Sequence, residues 1–505
     1  MAVNQLKAGA FLSYVSIGLN NVVGLLYTPF MLRMMGQSEY GLYSLVASVV
    51  AYLTVLDLGF GNAIVRYTAK FRAEGKIREQ YEMFGMFFLL YIGIGILVLL
   101  VGAGLYFNID RLFGATMNEN ELYKIRVMML LMVFNLAFTF PMSIWGAVIT
   151  AYENFVFQKL VNIARIILNP LAMIVMLMIG YRAIGMVVVT TIFNIITLLI
   201  NYWYCKKKIN IRVRFGHFRW GFLKEVSIYS FWIFIDSLVT RYYINIGQLV
   251  VGIYCGSLVV AIYALAIQLL LMYSSFSSAI NSLLLPKITT LVANNSSSDE
   301  LSSLFIRIGR IQFFVISFIL VGFVIFGREF IVLWGGVNYY KTYYIALLIF
   351  IPFSFDLITN VGITILQAKN KLKYRSIPML ITAFVGIMIM FPMTDKFGVW
   401  GCAVVTSASI LISNVIISNI MFYKIVNINV LKMVKDFGKM LWFPVLSIIF
   451  CFFIKQNIQI ENWFDLILYI LLFSVVYIPV FLAINLNGYE KNILKLILRN
   501  IIYKV

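Results

Sequence analysis

Four ionisable residues lie deep inside long apolar stretches of the sequence. They are Asp57, Asp236, Arg241 and Asp356. A charge near the middle of a membrane costs about 2.5–3.5 kcal/mol on insertion scales, so such residues usually face a cavity or a partner. We interpret the three aspartates as candidate sites for a proton or monovalent cation. Arg241 is a candidate ligand for an anion.

Polar residues recur at helical spacing around Arg241 and form one polar stripe: Ser230, Ser237, Asn245 and Gln248. A helix places residues that are three, four or seven positions apart on one face. Asp236 is a poor partner for Arg241 because it lies five residues away, on a different side. The alternative is hydrogen bonding between helices, which these residue types provide in membranes. The candidate substrate-binding residues are Arg241, Arg66, Asn20, Asn245, Gln248 and Gln268.

The sequence contains no recognisable catalytic, ATP-binding or metal-binding motif. It lacks Gly-x-x-x-x-Gly-Lys-[Ser/Thr], and its four cysteines are scattered without Cys-x-x-Cys spacing. The single histidine, His217, lies in a basic loop and so offers no acid–base or metal-binding constellation. These features predict neither an enzyme nor a cofactor nor a bound metal.

The composition explains where these residues must reside. Hydrophobic residues make up 62% of the 505 residues and charged residues 12%, with a mean hydropathy of +0.95. Soluble chains have about 25% charged residues. The apolar residues come in runs of about 20, the length that crosses the hydrocarbon core of a bilayer as a helix. The first run, 8–34, is too long for the apolar region of a signal peptide.

We predict an all-α integral membrane protein with about 14 transmembrane helices. Polar and turn residues separate the runs because they do not fit in lipid. The predicted spans are 8–34, 40–65, 83–107, 127–151, 160–180, 184–204, 227–252, 258–285, 307–333, 343–367, 377–394, 398–422, 440–455 and 464–486.

The lysine and arginine residues predict the orientation of these spans. With a cytoplasmic N-terminus, 29 of the 40 basic residues fall in cytoplasmic segments and 9 on the opposite side. Positive residues concentrate on the cytoplasmic side of membrane proteins, so both termini are predicted to be cytoplasmic. The net charge of +20 then reflects topology and attraction to anionic membrane lipids, not binding of nucleic acid.

An internal repeat divides the spans. Residues 36–47 align without gaps with residues 256–267, and both segments lie between the first and second helices of a six-helix block. The offset spans an even number of helices, which predicts two six-helix lobes in a parallel pseudo-repeat plus two C-terminal helices. The predicted divisions are an N-terminal lobe (1–204), a basic cytoplasmic linker (205–226), a C-terminal lobe (227–422) and two extra helices with a cytoplasmic tail (423–505).

Two segments near the N-terminus resemble a known family. They are Met35-Gly-Gln-Ser-Glu-Tyr-Gly-Leu-Tyr43 and Leu56-Asp-Leu-Gly-Phe-Gly-Asn-Ala-Ile-Val-Arg66. The pair is similar to the signature of bacterial polysaccharide-export proteins of the O-antigen flippase (Wzx) type. These belong to the multidrug/oligosaccharidyl-lipid/polysaccharide exporter superfamily. The sharp motif covers about residues 1–72, whereas the length and loop pattern agree along the whole chain.

The resemblance implies a fold and a function. Two six-helix lobes would form a V, with spans 1, 2, 7 and 8 lining a cavity that opens alternately to each face. The implied substrate is an undecaprenyl-diphosphate-linked oligosaccharide, moved from the cytoplasmic to the outer leaflet of the bacterial inner membrane. Arg66, through the motif, and Arg241, through its location, are the implied ligands of the diphosphate.

Two other functions are weighed against this one. A cation-coupled multidrug or small-molecule antiporter of the same fold would use Asp57, Asp236 and Asp356 as proton or monovalent cation sites. A membrane glycosyltransferase or acyltransferase is less consistent with the sequence, because no catalytic constellation or large loop is present.

The orientation is directly testable. We expect both termini and the segments 66–82, 206–224 and 367–375 to be cytoplasmic. Cysteines introduced there should therefore stay unmodified when intact cells are treated with a membrane-impermeant thiol reagent. Strong labelling at position 210 would contradict the predicted orientation.

Overall fold

The computed structural model describes residues 5–216, 220–294, 296–369, 371–455, 459–488 and 490–491. All regular structure in these residues is helical, which confirms the predicted all-α fold. Two 3-10 helices (Thr54–Asp57 and Val337–Tyr339) and two π-helices (Tyr242–Ile246 and Leu411–Ile417) lie between α-helices. The α-helices are α1 (Gln5–Met35), α2 (Gln37–Leu53), α3 (Phe60–Ala73), α4 (Ile77–Phe107), α5 (Ile109–Phe113), α6 (Glu119–Ala151), α7 (Phe155–Met178), α8 (Ala183–Lys207), α9 (Trp220–Arg241), α10 (Gly247–Cys255), α11 (Ser257–Ala293), α12 (Ser298–Gly335), α13 (Lys341–Thr359), α14 (Val361–Ala368), α15 (Lys373–Ile410), α16 (Ser418–Val426), α17 (Val430–Lys455) and α18 (Trp463–Asn485).

Within the described residues, 12 helical segments are long and apolar enough to cross a membrane. Two differences separate this number from the predicted 14. The segment Lys373–Val426 counts once, although Gly398 interrupts it with φ 57° and ψ −143° at the start of the predicted span 398–422, just after the predicted span 377–394. The predicted span 227–252 lies in α9, α10 and the π-helix between them, where polar residues lower the hydropathy. The predicted number of helices is therefore approximate.

The helices form two compact units. Among the described residues, the first unit extends to Met272 and resumes over Leu372–Ser413. The second unit comprises Tyr273–Lys371 and the described residues from Asn414 onward. The predicted division into two six-helix lobes and a C-terminal pair stays a prediction.

In the first unit, glycines allow α4 to lie close against α6. A Cβ atom at Gly95 would meet the backbone carbonyl of Ala137, and one at Gly102 would overlap the side chain of Val133. The two glycines are seven residues apart and therefore share one face of α4. Small residues commonly mediate close packing of membrane helices, since side chains gain little by exchanging lipid for another apolar surface.

The two glycines that begin the sequence repeat have the same backbone conformation. Gly36 precedes α2 with φ 81° and ψ 163°, and Gly256 precedes α11 with φ 78° and ψ 177°. Residues with a Cβ rarely adopt positive φ, so both turns require glycine. The chain therefore enters α2 and α11 by equivalent turns.

The tyrosines aligned by the repeat also make equivalent contacts. Tyr43 is hydrogen-bonded to Thr190 of α8, and the hydroxyl of Tyr263 lies 3.1 Å from that of Thr406 in α15. Each tyrosine thus binds a threonine on the sixth predicted span of its own block. This correspondence supports the repeat, whereas superposition of the complete blocks stays a prediction.

Aromatic rings fill the second unit where α12 packs against α17 and α18. Phe313 stacks on Phe437 of α17 with ring centroids 5.5 Å apart, and Phe318 stacks on Phe473 of α18 at 5.7 Å. Stacked rings of this kind add to the packing of apolar surfaces. The last two spans therefore have a defined place against α12.

Candidate functional site

Arg241 lies at the junction between two kinds of helix. It ends α9, and the π-helix Tyr242–Ile246 follows directly. Its side chain is half-buried, and no carboxylate of the described residues forms an ion pair with it. The side-chain amide of Asn245 donates a hydrogen bond to its backbone carbonyl at 3.3 Å. Because π-helical turns often occur at functional sites, this junction is a candidate ligand-binding site.

Two tyrosine hydroxyls fasten the π-helix to its neighbours in the first unit. The hydroxyl of Tyr242 lies 3.3 Å from that of Ser409, and the hydroxyl of Tyr243 lies 2.5 Å from that of Ser413. A Cβ atom at Gly386 would overlap the Tyr242 hydroxyl, so only glycine leaves space for the ring. All four hydroxyl-bearing residues are buried. These contacts satisfy polar groups inside the membrane and fix the backbone that follows α9.

The π-helix changes which face the later polar residues occupy. Ser237 is exposed and Arg241 half-buried, whereas Asn245 and Gln248 are only 7% and 8% exposed. A π-helix has more residues per turn than an α-helix, so residues beyond it are rotated relative to an uninterrupted stripe. Asn245 and Gln248 therefore lie in the packed interior, and their role as substrate ligands stays a prediction.

Of the remaining substrate-binding candidates, Gln268 joins three helices. Its side-chain carbonyl accepts a hydrogen bond from Tyr40 at 2.9 Å, and its amide donates to Thr28 at 2.7 Å. It thereby connects α11 with α2 and α1 inside the first unit. Asn20 on α1 and Arg66 on α3 are exposed, and their contact with a substrate stays a prediction.

Asp57 lies where the second predicted span breaks. Its carboxylate accepts a hydrogen bond from the Tyr91 hydroxyl at 2.6 Å and from the backbone amides of Gly59 and Gly61. Leu58 and Gly59 have positive φ values of 52° and 75°, so the helix ends and α3 begins anew. A carboxylate at a helix N-terminus satisfies amides that have no partner within the helix. Asp57 therefore acts as the cap of α3.

Asp236 forms an ion pair with Arg375. The guanidinium nitrogen of Arg375 donates to the Asp236 carboxylate at 2.8 Å, and their side chains are 5% and 28% exposed. The pair connects α9 with the first turn of α15. A positive group of the protein thus occupies the position beside Asp236 where a coupling cation was predicted. The role of Asp236 in ion coupling stays a prediction.

Asp356 belongs to the second unit. It is 8% exposed, and its carboxylate accepts a hydrogen bond from the side-chain amide of Asn414 at 3.0 Å. All three aspartates chosen as ion-coupling candidates are therefore bound by donors of the protein. In the part of the chain that the structure describes, no cluster of three His, Cys, Asp or Glu side chains could hold a metal ion.

Sequence reasoning missed two partners in this region. Arg375 belongs to the predicted cytoplasmic segment 367–375, yet α15 begins two residues before it and the side chain is buried. Tyr91 carries no distinguishing sequence signal, because tyrosines are numerous in the apolar runs. Arg375 and Asp236 are 139 residues apart, and no local spacing indicates such a pair.

The chain matches a family model described as polysaccharide biosynthesis protein over residues 6–292. It is 20% identical over 390 residues to a Shigella flexneri protein described as an O-antigen transporter. This alignment covers 76% of this chain and 90% of that protein.

Among solved structures, the chain is similar to the lipid II flippase MurJ in an inward closed conformation. The TM-score is 0.68 at 16% identity, with 94% of this chain and 98% of that one covered. It is also similar to an inward-facing multidrug resistance MATE family transporter, with a TM-score of 0.65 at 11% identity and coverage of 83% and 96%. At these identities the likeness establishes the fold.

The ion pair between α9 and α15 has a measurable consequence. Arg375→Ala leaves a carboxylate without its partner and should reduce the free energy of unfolding by about 3 kcal/mol, at the lower end for buried pairs because Asp236 keeps some contact with solvent. Asp236→Ala in the same chain should recover part of this loss. Thermal unfolding of the purified variants in detergent would measure both effects.

Lys373→Ala is the matched control, because it removes an exposed positive charge two residues away. It should leave the melting temperature close to that of the parent. Additive effects of Arg375→Ala and Asp236→Ala would show that the two side chains do not stabilise each other.

Proposed function

The chain belongs to the polysaccharide biosynthesis protein family of the multidrug/oligosaccharidyl-lipid/polysaccharide exporter superfamily, and from this premise we propose that it flips a lipid-linked oligosaccharide across the membrane. It is a multi-pass bacterial membrane transporter rather than an enzyme. The proposed substrate carries an oligosaccharide on undecaprenyl diphosphate. It moves from the cytoplasmic to the outer leaflet of the cytoplasmic membrane by alternating access.

The state of Arg241 is the observation that carries the proposal. The guanidinium is half-buried in the first unit and has no ion-paired carboxylate among the described residues. A cation within a membrane helix needs an anion, water or polar groups around it. A diphosphate supplies oxygens that a planar guanidinium can bind in pairs. The substrate would thus provide the counter-charge that the protein does not.

An apolar groove in the second unit is suited to hydrocarbon. It has a volume of about 530 Å³ and lies between α12, α17 and α18. Aromatic and aliphatic side chains line it, among them Phe326, Trp442 and Phe473. Lys455 also lines the groove, and its ammonium is paired with Glu329 at 2.7 Å. A polyisoprenoid tail has the apolar character that such a surface binds.

The antiporter alternative has less support from the site. It requires carboxylates that exchange protons or cations, and the three candidates already accept hydrogen bonds or an ion pair from the protein. The fold is shared with a MATE family transporter, but the fold alone does not select a substrate. Cation-driven efflux of small amphipathic cations by the purified protein would favour the antiporter.

A deletion strain tests the proposed function most directly. It should accumulate the lipid-linked oligosaccharide and lose the exported glycan, and the intact gene should restore export. Identification of the accumulated glycan would also define the substrate. Normal export in the deletion strain, with no accumulated intermediate, would contradict the proposal.

Substitution of Arg241 tests the proposed binding mode. A hydrogen-bonded contact with a charged group contributes about 1.5–3 kcal/mol, so Arg241→Ala should reduce export roughly 10- to 100-fold. Arg241→Lys keeps the charge but loses the paired hydrogen-bond geometry of the guanidinium. Its glycan export should therefore lie between that of the parent and that of Arg241→Ala. Glycan export would be measured at matched membrane abundance.

Arg328→Ala provides the control, because Arg328 is exposed near the end of α12 in the second unit. It should export at the level of the parent. Full activity of Arg241→Ala would mean that the residue has no role in transport.

A further inference from the structure

Three segments of the first unit meet through the carboxylate of Glu121. One carboxylate oxygen accepts hydrogen bonds from the Ser38 hydroxyl at 2.5 Å and from the Ser257 hydroxyl at 2.6 Å. The other accepts the backbone amide of Asn118 at 3.1 Å, in the capping box that begins α6. The hydroxyls of Ser38 and Ser257 are themselves 3.1 Å apart. One carboxylate therefore holds together the starts of α2, α6 and α11.

Further contacts surround this carboxylate. The side-chain amide of Gln37 donates to the carbonyl of Leu258 at 2.9 Å, and the hydroxyl of Thr116 donates to the carbonyl of Gly252 at 3.0 Å. A Cβ atom at Gly41 would overlap the backbone carbonyl of Ser257. The backbones of α2 and α11 thus touch at this end.

The segments joined here are the two copies of the sequence repeat. Ser38 lies two residues after Gly36 in the first copy, and Ser257 lies one residue after Gly256 in the second. The contact consequently links the first half of the chain to the second half. It lies at the ends of the predicted spans away from the basic segments, which the predicted orientation places outside the cytoplasm.

We propose that Glu121, Ser38 and Ser257 form a latch that closes the extracytoplasmic end of the transport pathway. The latch must open for the substrate site to face outward. The inference rests on the proposed function for the identity of the substrate that uses the pathway. Closure of the pathway itself can be measured without any substrate.

The chemistry of the latch suits a contact that opens repeatedly. Side-chain hydroxyls and a side-chain amide donate its hydrogen bonds, and a carboxylate or backbone carbonyls accept them. Water can replace each of these bonds at the membrane surface. Glycine at position 41 allows close approach without interlocking side chains. The carboxylate already belongs to α6 through the Asn118 capping box, so it remains in place when the two serines leave.

Thiol accessibility measures the latch directly. In a background free of native cysteines, Asn20→Cys places a labelling probe at an exposed position on α1. Because Asn20 is itself a candidate substrate ligand, glycan export is measured in the same background without this substitution. Intact cells would be treated with a membrane-impermeant maleimide. Adding Glu121→Ala should increase the labelling rate of this probe at least several-fold, because the outward-open state becomes more populated. The milder pair Ser38→Ala with Ser257→Ala should act in the same direction.

Glu119→Ala is the matched control for these variants. Glu119 is an exposed acid in the same first turn of α6, two residues from Glu121. It should leave the labelling rate unchanged. An equal rate in the parent, Glu121→Ala and the double serine variant, with all proteins monodisperse at matched abundance, would overturn the latch.

A cross-link provides the opposite perturbation. Ser38→Cys with Ser257→Cys should form a disulfide on mild oxidation, stop labelling of the probe and block export until a reductant is added. Asn135→Cys with Asn194→Cys is the control, because these side chains meet at 2.8 Å within the first half of the chain. That cross-link should leave labelling and export intact. Continued labelling after complete cross-linking between the serine positions would also overturn the latch.

The two readouts separate the latch from the proposed function. A cross-link between positions 38 and 257 that stops labelling but leaves glycan export unchanged would support the latch and contradict the flippase assignment. Lost export with unchanged labelling would contradict the latch and leave the assignment intact.

Discussion

The hydrocarbon core of the membrane is the constraint on which this structure depends. Water is scarce there, so backbone amides, carbonyls and charged side chains need a partner in the protein, a bound ligand or the water of a cavity. Continuous helices meet this requirement along most of the chain. Where a helix breaks, side chains supply the missing bonds, as Asp57 does for the amides at the start of α3. The ion pair between Asp236 and Arg375 meets the same requirement for charges.

The same constraint determines what the sequence could and could not predict. Hydropathy located the spans, because lipid selects apolar residues over a fixed length. Gly36 and Gly256 were identified because the segments that they begin align without gaps, and the structure adds that both have a positive φ. Two features lay beyond this reasoning. The pairing of Asp236 with Arg375 depends on tertiary contacts, and the π-helix after Arg241 depends on tyrosine hydroxyls that find serines more than 160 residues later.

The two copies of the repeat make two kinds of contact through different residues. Within each copy, a tyrosine seven residues after the glycine binds a threonine of a later helix in its own block. These buried contacts hold a block together and have no reason to change. Nearer the glycine, polar side chains of one copy meet the other copy through Glu121. Because the contact through Glu121 is polar and lies at a helix end, water can replace it. The buried Tyr–Thr contacts are therefore permanent, whereas the Glu121 contact is reversible.

Arg241 is a half-buried charge for which the described residues provide no ion pair, and the surrounding structure explains how it can persist. The buried Tyr–Ser contacts hold the π-helix directly behind it, so the backbone does not need the arginine side chain for its stability. A guanidinium is weakly hydrated and permanently charged, so it cannot escape the membrane interior by losing a proton, whereas a lysine could. The protein therefore maintains a fixed positive group in a half-buried position, and a mobile anion is the natural partner for it. A diphosphate fits this description better than a coupling cation does, because the aspartates that would bind a cation already have partners in the protein.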